Sequence, residues 1–292
     1  MRLATSMGVI VLLCATAPVD AEVDPDAVDD FVQRHTLSSA DAAPPSTPAL
    51  STNDAQVRMI YLVPSDKVAR EDYALGMQRA ILDLRSFYQS QMGIISGVPT
   101  IAGVGTGFTT HDPVVEVHGL PHDSSYYNSF NQNGAFAFWF TVLEDAFDVT
   151  GGGFDDPSNR WIYYIDDDPA CGQGIGATSG VALLPANDLR GLVGEPNVPP
   201  CPGSQPDTAG YCRWVGGLGH ELGHAFGLPH PPGCDQGTCS EYAYRSLMYV
   251  GYTLYPDTYL LEADTSTLRQ SAFFSLEKTA WPTVNCRGEL VF

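Results

Sequence analysis

From Val57 onward the apolar residues fall into periods that predict regular elements. Val57 to Val63 reads V-R-M-I-Y-L-V and predicts a strand ended by Pro64. Tyr73, Met77, Ala80, Ile81, Leu84, Phe87 and Tyr88 recur at helical spacing, so Arg70 to about Gln91 is an amphipathic helix. A glycine- and proline-rich loop follows from Gly93 to Gly107. Val114 to Val117 is a short strand, Ala135 to Phe147 a further helix, and Arg160 to Ile165 (R-W-I-Y-Y-I) a strand. Val181 to Leu184, closed by Pro185, is another short strand. A second loop rich in proline and glycine, Gly194 to Gly210, leads into a helix that begins near Cys212. Strand, helix, strands, helix in that order predicts a twisted sheet flanked by helices, with no internal repeat.

The N-terminus reads differently. Arg2 precedes an apolar run, Met7 to Ala15, too short to span a bilayer. Ala15-Thr16-Ala17 and Val19-Asp20-Ala21 both carry the small-x-small pattern of a cleavage site, so residues 1–21 are expected to be a signal peptide. The alternative is an apolar N-terminal strand or anchor. Leu13 before Cys14 argues against a lipoprotein, since a lipobox needs a small residue there. Residues 22–53 are rich in Asp, Ala, Pro, Ser and Thr and read as a disordered arm or a propeptide, Ser38 to Thr52 being an unfolded linker.

Export changes how the cysteines are read. Beyond Cys14 there remain Cys171, Cys201, Cys212, Cys234, Cys239 and Cys286, an even number that allows three bridges and no C-x-x-C metal pair. Proximity joins Cys201 to Cys212 and Cys234 to Cys239, leaving Cys171 with Cys286. The charge of −20, from 34 acidic against 14 basic residues, repels nucleic acid and anionic membranes and favours solubility outside the cell; a secreted, extracellular protein is expected, and a monomer. With 292 residues and 44% hydrophobic content, the chain can bury one substantial domain or one with two lobes.

Chemistry concentrates in Trp214 to Pro231, W-V-G-G-L-G-H-E-L-G-H-A-F-G-L-P-H-P, which contains H-E-x-x-H-x-x-G-x-x-H. Residues four apart share a helix face, so His220 and His224 can direct two imidazoles at one metal ion. Glu221 lies about 100° round the helix, within reach of water on that metal. Trp214, Leu218, Leu222 and Ala225 form another face for the core, while Gly216 and Gly217 are expected under the histidines, keeping the approach open. Gly227 can stop the helix in a left-handed conformation, letting His230 return as third ligand. Three nitrogens leave a fourth position for water, the arrangement of a catalytic rather than a structural zinc.

This motif, followed by Ser246-Leu247-Met248-Tyr249, resembles the metzincin metallopeptidases, whose second hallmark is a downstream methionine turn. The resemblance covers Trp214 to Tyr252. It implies an α+β, zincin-like fold: a twisted, mostly parallel sheet with flanking helices and a smaller C-terminal lobe across the cleft. The catalytic domain would be residues 54–292, divided into lobes 54–230 and 231–292, with a late helix near Ser266 to Phe274. Met248 would form a floor beneath the histidines, and a protein or peptide substrate would pair with an edge strand, for which Val181–Leu184 is the candidate. Some members place a tyrosine two positions after the methionine; here Val250 stands there, and Tyr249 and Tyr252 flank it as candidate zinc-side or transition-state residues. The implied activity is endopeptidase hydrolysis by a zinc-bound water with Glu221 as general base. A zinc-stabilised binding module without catalysis is the alternative, and hydrolysis of a non-peptide amide a third reading.

Weaker features remain. Asp166-Asp167-Asp168 reads as a calcium (Ca2+) site or, more simply, a solvated turn. His111, His118 and His122 suggest a second zinc without a defensible ligand spacing. Gly103, Gly105 and Gly107 lack the Lys-Ser/Thr of a phosphate loop.

Overall fold

The computed structural model describes residues 10–11, 25–37, 55–95, 98–99, 107–129, 134–198, 201, 207, 209–274 and 283–291. Five strands, β1 (Gln56–Val63), β2 (Thr110–Gly119), β3 (Asn159–Ile165), β4 (Gly176–Thr178) and β5 (Val181–Leu184), lie in the order β2-β1-β3-β5-β4. Four are mutually parallel, with Met59 opposite both Val115 and Ile162, and Tyr163 opposite Leu183. Only β4 runs antiparallel, and Ile10–Val11 pair antiparallel along its outer side. Val181–Leu184 is therefore bonded on both sides rather than lying at an edge, which corrects the expectation above. The three-residue β4 has no hydrophobic period, so nothing in its sequence announces it.

Period-two alternation divides the strand side chains between two cores. Val57, Met59, Tyr61, Ile162, Tyr164, Ala182 and Leu184 face one core; Ile60, Leu62, Trp161, Tyr163, Ile165, Val181 and Leu183 face the other. Both faces are covered, which is why the parallel strands read as nearly continuous apolar runs. Six helices are used here: α1 (Pro25–Arg34), α2 (Glu71–Met92), α3 (Ala137–Thr150), α4 (Ala186–Leu192), α5 (Tyr211–Ala225) and α6 (Glu262–Leu268). Apolar faces of α2 and α5 line the first core, and α1 and α3 line the second. The structure thus shows α+β architecture with a mostly parallel sheet and flanking helices.

Part of the expected arm is folded. Helix α1 buries Phe31 and Val32, the ring of Phe31 packing 4.8 Å from Phe140 and 5.8 Å from Trp139. Just beyond it, the Phe154 N–H donates to His35 O at 3.0 Å and the Leu37 N–H to Phe154 O at 2.9 Å. Ser38 to Thr52 lies outside the described residues, as does the cleavage region after Val11. The late helix expected near Ser266 to Phe274 is corrected to α6, which ends at Leu268 and begins earlier because the Asp264 carboxylate accepts the Leu261 N–H at 2.8 Å and starts the turn there.

Cys234–Cys239 forms as proximity suggested, while the expected pairings Cys201–Cys212 and Cys171–Cys286 are corrected. The bridges are Cys171–Cys201, Cys212–Cys286 and Cys234–Cys239. Cys212–Cys286 closes a sequence separation of 74 residues and ties the first turn of α5 to the C-terminal hairpin of Thr283–Val284 with Leu290–Val291. Chain-entropy reasoning credits a loop of that length with about 4 kcal/mol. Sequence nearness found the bridge inside one tight turn, Cys234–Cys239, but not the two whose partners the folded sheet and helices bring together.

Asp83 on α2 links distant parts of the chain: the Tyr255 hydroxyl donates to its Oδ1 at 2.7 Å. The carboxyl is 2% exposed, and burial pushes its pKa up to about 6, against the Tyr255 hydroxyl, which acts to lower it.

Two outcomes follow from this packing. Phe31→Ala should cost about 3 kcal/mol, as emptying a core site does; a urea midpoint unchanged from wild type would mean α1 is dispensable to the domain. For Asp83, a folded-state pKa above the unfolded value means its stabilisation is full below about pH 4 and is lost as pH rises through about 6. Asp83→Asn, which mimics the protonated form, should therefore gain on wild type by about 2–3 kcal/mol between pH 4 and pH 7. Urea unfolding of both proteins at the two pH values measures this; a pH-independent difference would contradict it.

Candidate metal centre

Helix α5 carries the histidine pair. It runs from Tyr211 to Ala225 and ends where Gly227 takes φ of 89° and donates its N–H to His224 O at 2.8 Å. The reversal brings His230 back, so that ligand atoms of His220, His224 and His230 all lie within 4.8 Å of one another. His220 is fully buried and His224 is 4% exposed.

The outer nitrogens decide which atoms face inward. His220 Nδ1 lies 2.8 Å from Leu247 O, and His224 Nδ1 lies 2.7 Å from Leu228 O. A carbonyl can only accept, so each Nδ1 carries the proton and each Nε2 presents a lone pair. His230 Nδ1 faces Asp235 Oδ1 at 2.7 Å, the same arrangement with a carboxylate. Burial, with the charge of the neighbouring ring, holds the His220 pKa well below the usual imidazole value. Burial also lowers that of His224 to about 4, so both rings are neutral at ordinary pH. Their Nε2 atoms stand 2.9 Å apart, and His230 Nε2 is 3.4 Å from His220 Nε2. Three acceptor lone pairs so close repel one another unless a cation sits among them. This donor set fits a metal ion bound by three nitrogens.

Glu221 is 2% exposed, and neither carboxylate oxygen has a hydrogen-bond partner among the described residues. Burial, then the charge of Asp188, pushes its pKa up to about 8, while Arg213 opposes the shift. A divalent cation alongside would pull that value back down. Asp188 is itself buried and pushed up to about 7, chiefly by desolvation. Arg213 bonds Asp207 at 3.0 Å and lies over the rings of Trp214 and Tyr252, 4.3 and 5.0 Å from their centroids.

The methionine segment packs beneath the helix. Met248 is fully buried, and a Cβ added at Gly223 would lie 2.3 Å from its Sδ. Leu247, its neighbour, supplies the carbonyl that orients His220. Gly216 is not under an open histidine face, as the sequence suggested; a Cβ there would meet Tyr252 O at 2.0 Å and Tyr255 Cβ at 2.7 Å. Gly217 faces Arg213 and Asp188. Gly216 thus lets the segment after Met248 approach the helix backbone.

Of the two flanking tyrosines, Tyr249 donates its hydroxyl to Cys234 O at 3.0 Å and sets its ring edge-on to His230, centroids 5.2 Å apart. Tyr252 sits edge-on to His220 at 5.3 Å. The other candidates disperse. Asp166 accepts from Tyr61, Asp167 from Asn128 and Asp168 from Arg190, and Lys67 pairs with the first two. Asp166 and Asp167 are buried, so this is neither a solvated turn nor a calcium cage: each carboxylate already has its own donor. His111 faces Gln56, His118 lies 3.6 Å from Glu116, and His122 lies 3.9 Å from Asp145; they do not converge. Gly103 and Gly105 fall outside the described residues. The functional neighbours that the motif does not reveal are Leu228 O, Leu247 O, Asp235, Asp188 and Arg213. Backbone carbonyls leave no trace in a sequence, although an acid between Cys234 and Cys239, just past the third histidine, is a visible signal in retrospect.

Comparison with protein-family models gives no match, and comparison with curated proteins gives none either. Among solved structures, wild-type OgpA from Akkermansia muciniphila superposes with a TM-score of 0.49 at 19% identity, over 80% of this chain and 66% of that one. Catalytically inactive OgpA in complex with an O-glycopeptide substrate, glycodrosocin, gives 0.48 at 17%, over 80% and 65%. Archaemetzincin from Methanopyrus kandleri gives 0.35 at 14%, over 78% and 98%. The chain spans just under two thirds of the length of the OgpA chains. With every TM-score below 0.5, the site stands on its own geometry.

Gly216→Ala separates packing from propensity. Alanine should gain about 1 kcal/mol in a helix interior, but overlap with the Tyr252 carbonyl should outweigh that and leave the protein at least ~2 kcal/mol less stable. Chemical denaturation decides the sign, and a stabilised variant would mean that the segment can retreat from the helix.

Proposed function

We propose that this chain is an exported, zinc-dependent endopeptidase of the metzincin type. The observation that carries the reading is the convergence of three imidazoles, each oriented through its Nδ1, beside a buried carboxylate with no hydrogen-bond partner among the described residues. His220, His224 and His230 would hold zinc through Nε2. Zinc, when bound, supplies Lewis acidity toward the scissile carbonyl and lowers the pKa of water toward ~7.

The chain's own residues do the rest. Glu221 follows His220 directly and has both oxygens free of other partners among the described residues, so an Oε can take the proton of the attacking water and return it to the leaving amine nitrogen. Its fully desolvated position makes the charged form a strong acceptor. Leu247 O, Leu228 O and Asp235 keep the ligand rings from turning. Met248 supports the helix from below. The outer side of β4, which accepts Ile10–Val11 as an added antiparallel strand, offers backbone groups that an extended peptide substrate could pair with. Ala177 of β4 shares a core with α5, the helix that carries two of the histidines.

Export is supported by the bridges: all six cysteines from Cys171 onward are disulfide-bonded, a state kept in oxidising compartments. No helix among the described residues is long and apolar enough to cross a membrane.

Glu221→Gln provides the test. With an unfolded protein such as casein as substrate, the variant should retain one bound zinc by native mass spectrometry while kcat falls by roughly 10²–10⁴. Chelation should silence the wild type. Zinc in both proteins with cleavage by neither, across casein and a broad peptide library, would favour a binding module over a peptidase.

A further inference from the structure

The three histidines are not held alike. His220 and His224 sit on one helix and are oriented by backbone carbonyls. His230 lies beyond the helix end, where no ladder of backbone bonds fixes it. Its Nδ1 is held instead by a side chain, Asp235 Oδ1 at 2.7 Å. We propose that Asp235, carried on the disulfide-closed turn Cys234–Cys239, is the positioning residue for the third metal ligand and sets how tightly the site holds its metal. This rests on the histidine triad being the metal site.

The turn is built to keep Asp235 in place. Cys234 is 1% exposed, so the disulfide is anchored in the protein at one end. Inside the loop the Gly237 N–H donates to Cys234 O and the Thr238 N–H to Gly233 O, both at 2.8 Å, and the Cys234 N–H donates to Pro231 O at 3.1 Å. The Tyr249 hydroxyl adds a further bond to Cys234 O at 3.0 Å, while its ring meets the His230 ring edge-on. Tyr249 follows Met248 directly. One short segment thus braces His220 through Leu247 O and His230 through the turn.

Charge gives Asp235 a role that a carbonyl could not fill. A carboxylate accepting from Nδ1–H makes the opposite nitrogen more basic, and it brings a negative charge toward three neutral ligands facing a dication. His230 is well shielded, its side chain 7% exposed, while the Asp235 side chain is 54% exposed. The carboxylate therefore stays solvated on its outer side and avoids the full cost of burying an ion.

Zinc affinity measured by chelator competition tests this, with thermal unfolding of each metal-free protein as a control for folding. Asp235→Ala should weaken zinc binding by about 10–100-fold, the range for losing an outer-shell partner. Asp235→Asn, which keeps an acceptor but loses the charge, should fall between that variant and wild type. Replacing both Cys234 and Cys239 with Ser should weaken binding similarly, and adding Asp235→Ala to that pair should cost little more, because both changes act through one contact. Wild-type affinity in Asp235→Ala would overturn the proposal, as would full additivity of the disulfide and Asp235 changes. Absence of zinc from the wild type itself would instead refute the metal-site reading on which it rests.

Discussion

Three lone pairs aimed at one point repel each other, and much of this molecule is arranged to make that unfavourable geometry persist. The separation of 2.9 Å between two Nε2 atoms is tolerable only with a cation between them. What holds the rings there is a set of three Nδ1 contacts, drawn from the turn after Gly227, the Leu247 segment and the Cys234–Cys239 loop. Each contact selects the tautomer that points a lone pair inward. The elements around α5 can be understood by which ring they fix.

That demand explains two of the glycines of α5, Gly216 and Gly223, which helix propensity alone would disfavour. Gly216 lies against the backbone at Tyr252, and Gly223 lies against the Met248 thioether. Without side chains at these positions the helix admits the 246–255 segment at close range, and Leu247 O arrives within bonding distance of His220. Propensity is given up to bring a second strand of chain against the helix. The opposite face, with Trp214, Leu218 and Leu222, is ordinary amphipathic burial against the sheet.

Desolvation is the second constraint. Burial acts on His220 and His224 to keep them neutral and on Glu221 and Asp188 to raise their pKa values, so one environment prepares both ligands and base. In a chain of net charge −20, buried acids add repulsion. Arg213 opposes the shift of both Glu221 and Asp188, a single cation placed along α5 where it moderates two of the costliest carboxylates. Asp166, Asp167 and Asp168 show another solution, each given its own donor.

Local information determined a great deal here. Helical spacing from Tyr73 to Tyr88, the apolar runs of β1 and β3, and the four-residue step from His220 to His224 each depend on near neighbours in the chain. They read correctly because period and side-chain direction are properties of a single element. Gly227 was legible for the same reason, since a helix stop is a local backbone event. The remainder needed the tertiary structure. β4 has too few residues for a period, α1 gains its place from aromatic rings more than a hundred residues away, and the pairing of Cys212 with Cys286 depends on where the C-terminal hairpin lands. The outer shell of the site was hidden most completely. Carbonyls of Leu228 and Leu247 are chemically the same as any others, and only the folded path of the chain turns them toward an imidazole.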